Sequence, residues 1–161
     1  MNSYELYKGL FEREQIRKKE LDDSINIPIG LITLIVGLLS YINKDFIFSY
    51  KDFSSYISVI IFVLLFIGIY FLSKSYNNLF KGFNYVNLPH TKKLRNYEIE
   101  LEDNKEESFK LYLTNNFADI SDINGKINKA RLLDLYKVKT TLIISIVLSV
   151  LIVLIHFFIT V

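Results

Sequence analysis

The chain has no cysteine and no tryptophan, and only two prolines and two histidines occur among its 161 residues. Without cysteine, disulfides and thiol chemistry are excluded, and cysteine usage says little about the redox compartment. The sequence also lacks a P-loop, a G-x-G-x-x-G turn, an H-E-x-x-H helix and a G-x-S-x-G elbow. We therefore expect no enzymatic activity, and nothing in the sequence indicates a cofactor or a metal.

Charged residues are absent from three long stretches, residues 24–43, 53–73 and 140–161. Each stretch is about as long as an α-helix must be to cross the roughly 30 Å hydrocarbon core of a bilayer. The sequence therefore predicts an all-α integral membrane protein with three transmembrane helices. Because no span contains a charge, a proton- or ion-coupled transporter is disfavoured.

The distribution of basic residues predicts the topology. Seventeen of the 19 lysines and arginines lie either before the first span or between the second and third spans. Only Lys44 and Lys51 lie in the short loop between the first two spans, and no basic residue follows the third. The positive-inside rule then places the N-terminus and the long segment 74–139 in the cytoplasm, and the short loop and the C-terminus outside.

The cytoplasmic parts are predicted to be largely helical. Residues 1–23 form an N-terminal cytoplasmic helix of moderate amphipathicity, because Glu14 and Lys18 interrupt its apolar side. Residues 82–104 are expected to be irregular, whereas apolar residues recur every three or four positions within the predicted helix 105–139. Asn124-Gly125 either interrupts that helix or allows it to continue into the third span.

A one-sided polar stripe marks the third span. Its members lie within about 100° of one another on a helical wheel at 3.6 residues per turn: Thr141, Ser145, Ser149, His156 and Thr160. Such a stripe should not face lipid. It either packs against another helix, which is the favoured interpretation, or lines a pore or water-filled cavity.

The first span has a second face of small residues, formed by Gly30, Thr33, Gly37 and Ser40. Glycine allows backbones to approach closely, so helix packing is the favoured interpretation. Two such faces require more contacts than three spans of one copy provide. We therefore expect a homo-oligomer, with a tetramer as the working assumption.

A polar face on the cytoplasmic helix is a candidate ligand site. Asn124, Asn128 and Arg131 follow one another at i, i+4 and i+7, and Lys129 is a neighbour. Amide and guanidinium groups together suit an anionic, hydrogen-bonding ligand such as a nucleotide. The alternative is a solvated helix face with the positive charge typical of a membrane entry.

The layout resembles small membrane effectors of bacterial anti-phage systems, namely SLATT-type effectors and the channel effector of Hailong systems. The resemblance covers most of the chain. It rests on the charged helix 4–23 that leads into Ile25-Asn26-Ile27-Pro28-Ile29 and on the Asn124-x3-Asn128-x2-Arg131 helix that leads into the third span. It implies a bacterial inner-membrane protein that assembles into a homo-oligomeric channel. It also implies gating by a cyclic nucleotide or oligonucleotide from a partner nucleotidyltransferase.

Two functions follow as hypotheses. The first is a pore-forming defence effector gated by a cytoplasmic nucleotide signal. The second is a non-conducting membrane anchor or regulatory subunit for a cytoplasmic partner. They differ in the stripe on the third span, since conduction through that stripe requires it to face the axis of an oligomer.

Overall fold

The computed structural model describes residues 3–42, 53–76, 85–100 and 105–160. All regular structure within these ranges is helical: α1 Ser3–Asp23, α2 Asn26–Ile42, α3 Phe53–Ser75, α4 Thr91–Glu100 and α5 Lys105–Thr160. The predicted outer loop lies outside the described residues, as do the side chains of His156 and Thr160.

Three helices of the described chain are long and apolar enough to cross a membrane, as judged by their length and composition. Most of each uncharged stretch lies in one of these helices, and the helices leave large apolar side chains exposed, such as Leu34, Phe66 and Ile143. An all-helical fold with three such helices was predicted, and this part of the prediction is confirmed. Apolar surface of this extent is typical of a protein that contacts lipid or other protein.

A two-residue turn at Ser24 and Ile25 separates α1 from α2. The carbonyl of Ile25 accepts the first α-helical bond of α2, from the N–H of Ile29 at 3.4 Å. Pro28 therefore lies in the first turn of α2, where a backbone N–H has no partner inside the helix and its absence costs little.

The helix α5 runs without a break from Lys105 to Thr160, so Asn124-Gly125 does not interrupt it. The question that the sequence left open is thereby answered. The helix α4 lies in the stretch expected to be irregular, and the ring of its Tyr97 lies 4.2 Å from the ring of Tyr112, centroid to centroid.

The chain divides into two compact units. Unit 1 comprises residues 1–21 and 82–130, and unit 2 comprises residues 22–81 and 131–161. In unit 1 the apolar centre includes Phe117, whose ring meets the rings of Tyr4 and Phe11 at centroid distances of 5.8 and 5.3 Å.

Unit 2 holds α2, α3 and the second half of α5. Buried residues of α5 recur here at alternating intervals of four and three: Arg131, Leu135, Val138, Leu142, Ser145, Ser149 and Ile152. A repeat of this kind forms a narrow seam along one side of a helix. Apolar residues of α2 and α3 are buried in the same unit, among them Leu39 and Ile61.

Candidate functional site

In unit 1, the side chain of Asn124 holds the segment that precedes α4 through two hydrogen bonds. Its Oδ1 accepts a hydrogen bond from the backbone N–H of Val86 at 3.0 Å, and its Nδ2 donates to the carbonyl of Val86 at 3.0 Å. The side-chain amide thus uses its donor and acceptor on one peptide segment, in the way that a neighbouring β-strand would. Asn124 is 1% exposed, whereas its partner Val86 is 36% exposed, so the two bonds are only partly shielded from water.

Asn128 forms a second set of hydrogen bonds between distant segments of unit 1. Its Nδ2 donates to both the backbone carbonyl and the Oε2 of Glu14, each at 2.9 Å. Its Oδ1 accepts from the hydroxyl of Tyr85 at 2.5 Å. Both amide donors of Asn128 therefore have acceptors, as expected for a fully buried side chain.

The carboxylate of Glu14 is the charged member of this cluster. Glu14 is buried, its Oε1 lies 3.9 Å from a guanidinium nitrogen of Arg17, and a Cβ added at Gly125 would lie 3.6 Å from its Cδ. Lys18 lies over the ring of Tyr85 at 4.5 Å from the centroid. We call Glu14, Tyr85, Val86, Asn124 and Asn128 the amide cluster.

Arg131 belongs to unit 2, where it joins the ends of two helices. Its guanidinium donates to the carboxylate of Asp22 at 2.6 Å through one terminal nitrogen and to the carbonyl of Ser75 at 2.8 Å through Nε. The hydroxyl of Ser75 donates back to the carbonyl of Arg131 at 3.3 Å. Arg131 is 0% exposed, so its charge depends on these partners rather than on water.

A second charged group lies one turn further along α5. The carboxylate of Asp134 lies 3.8 Å from the ammonium of Lys74 and 3.9 Å from that of Lys137. Lys137 also lies over the ring of Phe71, 4.7 Å from its centroid. Charges of both signs therefore meet in unit 2 just before the uncharged stretch of α5 begins.

The four residues expected to bind a ligand are thus distributed over both units. Asn124 and Asn128 lie in the amide cluster of unit 1, Lys129 is exposed on the same unit, and Arg131 bonds within unit 2. The sequence did not identify Glu14 or Asp22 as partners. Glu14 gave a signal nevertheless, since a carboxylate on the apolar side of an amphipathic helix needs a buried partner.

Two members of the polar stripe, Ser145 and Ser149, lie in the interior of unit 2. Ser145 and Ser149 are buried, and their hydroxyls donate to the carbonyls of Thr141 and Ser145, at 2.8 and 2.7 Å. The hydroxyl of Thr141 donates to the carbonyl of Val138 at 2.8 Å. The hydroxyls of these three residues therefore bond to carbonyls of their own helix, and two of the three side chains are buried in the single chain.

The small-residue face of α2 is open in the single chain. Gly30, Thr33, Gly37 and Ser40 are all exposed, and a Cβ added at either glycine would meet nothing within 4 Å. The hydroxyls of Thr33 and Ser40 donate to carbonyls of their own helix at 3.0 and 2.8 Å. The face that was expected to pack thus has no neighbour among the described residues of this chain.

Two further features of the described residues bear on chemistry. No group of three histidine, aspartate or glutamate side chains is placed to hold a metal ion in the described part of the chain. A cavity of about 130 Å³ lies in unit 2 between the first turns of α2 and the stretch of α5 that starts at Lys139.

Comparison of the chain with protein-family models, with curated proteins and with solved structures found no match.

Proposed function

We propose that this protein is a membrane effector of a bacterial anti-phage defence system that assembles as a homo-oligomer and permeabilises the inner membrane. In this proposal α2, α3 and the uncharged part of α5 span the membrane, the N-terminus and the segment 74–139 are cytoplasmic, and the C-terminus is outside. Assembly is supported by a feature of the structure, whereas conduction and the defence role rest on the resemblance of layout.

The open face of α2 is the observation that carries the proposal of assembly. Two glycines one heptad apart, Gly30 and Gly37, have no neighbouring side chain in the described part of the chain. Helices in lipid associate through small residues of this kind, because close approach of the backbones increases van der Waals contact. A second copy of α2 fits this face, and closed symmetric assembly is the usual outcome for identical chains.

The conducting path in this proposal lies between copies, beside the α2 face. The stripe of Ser145 and Ser149 is buried inside each chain and is therefore unsuited to line the path. Thr33 and Ser40 supply hydroxyls on the α2 face instead. Their hydrogen bonds to their own helix make them compatible with both a helix contact and a water-filled path.

In this proposal the amide cluster is the site that binds the nucleotide signal. Asn124 holds the N–H and the carbonyl of Val86, and an adenine base offers the same donor and acceptor pair to an asparagine side chain. A nucleotide can therefore replace residues 85–86 on Asn124 and Asn128, with Lys129 near its phosphates. Arg131 is assigned to holding unit 2 together, because its guanidinium bonds to Asp22 and Ser75.

The second candidate is a non-conducting membrane anchor or regulatory subunit for a cytoplasmic partner. It is favoured by the burial of Ser145 and Ser149, which leaves the best-defined polar stripe of α5 inside one chain. An anchor needs no hydroxyl-lined path. It needs only helices that insert and a cytoplasmic unit that binds a partner.

Membrane depolarisation in bacterial cells that express the chain separates the two candidates. Gly37→Leu adds bulk to the open α2 face, and Val63→Phe adds bulk to an exposed position of α3 as the matched control. The effector proposal expects depolarisation by the native chain and by Val63→Phe, and its loss in Gly37→Leu at equal membrane levels.

One outcome favours the anchor instead: a native chain that inserts at high level, with phage and a partner nucleotidyltransferase present, and never depolarises the cells. Equal depolarisation by the native chain and by Gly37→Leu would keep permeabilisation as the function and would remove the α2 face from its mechanism.

A further inference from the structure

The cavity of unit 2 has a polar end and an apolar remainder. Ser24 and Lys139 line it at the points where the uncharged stretches of α2 and α5 begin. Ile27, Leu31, Ile143 and Ile146 line it over the following two turns of the two helices. The cavity lining therefore changes from polar to apolar in the direction that leads from the charged segments into the uncharged stretches.

We propose that this cavity binds one anionic phospholipid of the cytoplasmic leaflet, with the phosphate at Lys139 and part of an acyl chain against the isoleucines and Leu31. The inference rests on the membrane insertion and cytoplasmic N-terminus of the proposed function. It does not depend on conduction or on a nucleotide signal.

The volume and lining suit hydrocarbon. The cavity measures about 130 Å³. An apolar cavity of roughly 150 Å³ stays dry and accepts a benzene-sized group. A short part of an acyl chain fits such a space, and water gains little there because few polar partners are present.

The positive charge of Lys139 at the polar end of the cavity favours anionic lipids. Lys139 is the last charged residue before the uncharged stretch 140–161, so its ammonium lies at headgroup level in the proposed topology. Basic pockets between transmembrane helices on the cytoplasmic side bind anionic headgroups. One lysine near an anionic surface favours binding by about fivefold.

The test measures lipid retained by the purified full chain in detergent, by native mass spectrometry. Phosphatidylglycerol and phosphatidylcholine with identical acyl chains are titrated separately. The native chain should retain one phosphatidylglycerol per chain at about fivefold lower concentration than phosphatidylcholine. Lys139→Gln should abolish the preference, and Lys19→Gln, which removes a charge from an exposed position of α1, should preserve it.

A second variant addresses the apolar part. Ile146→Phe fills the cavity and should reduce retention of both lipids while the melting temperature of the chain stays within a few degrees. Equal retention of the two lipids by the native chain overturns the proposal, as does a preference that survives in Lys139→Gln. If Ile146→Phe dissociates the oligomer and leaves lipid retention unchanged, a second copy occupies the cavity and the proposal is wrong.

Discussion

Gly68 of α3 lies directly against Thr141 of α5, since a Cβ added at Gly68 would stand 3.1 Å from the Oγ1 of Thr141. The contact joins two helices of unit 2 one helical turn before the buried Ser145. It also distinguishes Gly68 from Gly30, at which a Cβ would meet nothing within 4 Å.

Gly68→Leu should therefore destabilise the single chain, whereas Gly30→Leu should not. Bulk forced into a close contact typically costs about 1–3 kcal/mol of unfolding free energy. Unfolding in mixed micelles, under conditions where each chain is alone, measures the difference. Equal stability of the two variants would show that α3 and α5 do not meet at Gly68.

Arg131→Ala should lower the unfolding free energy by about 1–3 kcal/mol, because it leaves the buried carbonyl of Ser75 without this donor, whereas the half-exposed carboxylate of Asp22 can turn to water. Arg131→Lys keeps the positive charge but loses the planar set of N–H donors, so the unfolding free energy should fall by an intermediate amount. A double-mutant cycle with Asp22→Asn should give a positive coupling energy. If Arg131→Ala unfolds like the native chain and yet loses its response to nucleotide, Arg131 is a ligand residue.

Asn124→Ala should release residues 85–86 without unfolding unit 1. Two hydrogen bonds of about 0.5–1.5 kcal/mol each are lost, so exchange of the Val86 amide hydrogen should accelerate on the order of 10- to 100-fold. Asn116→Ala is the matched control, because the amide of Asn116 donates to the carbonyl of Tyr112 in its own helix. The same acceleration in both variants would mean that Asn124 does not hold this segment.

Gly125→Ala should stabilise unit 1 by about 0.5–1 kcal/mol, since alanine is the better helix former and its Cβ would meet Glu14 at an ordinary contact distance. Gly9→Ala, with nothing within 4 Å of its Cβ, should give a similar gain. Thermal unfolding compares the two variants. A loss of stability confined to Gly125→Ala would mean that α1 lies closer to α5 than the structure places it.

The sequence predicts the helices well, because each depends on local pattern. Uncharged stretches of suitable length predicted helices where α2 and α3 lie, and regular apolar spacing predicted a helix in the first half of α5. The helix α4 was missed, since its ten residues include one leucine and one isoleucine and no buried residue. The continuity of α5 was undecidable from the sequence, because glycine costs about 1 kcal/mol in a helix and tertiary packing can offset that.

For the candidate site, the shared helix face could be predicted from the sequence, but its burial and its partners could not. That Asn124, Asn128 and Arg131 share a face follows from helical spacing alone. Whether that face is solvated or buried depends on partners far away in the chain, such as Glu14, which is 114 residues from Asn128. One sequence carries no direct record of such pairings, apart from the carboxylate on the apolar side of α1.

The small-residue faces show the same limit. Periodicity identifies both stripes, but it does not assign one to the interior of the chain and the other to its surface. The structure buries Ser145 and Ser149 and leaves Gly30 and Gly37 open.

The central claim is that copies assemble through the open face of α2 and form a path across the membrane. Potassium flux from liposomes that contain the purified chain tests it most directly, with a panel of cyclic dinucleotides, cyclic trinucleotides and short oligonucleotides present on both sides of the bilayer. We predict flux from the native chain with at least one nucleotide and none from Gly37→Leu inserted at equal density. Flux from both chains, or from neither with any nucleotide, would contradict the account.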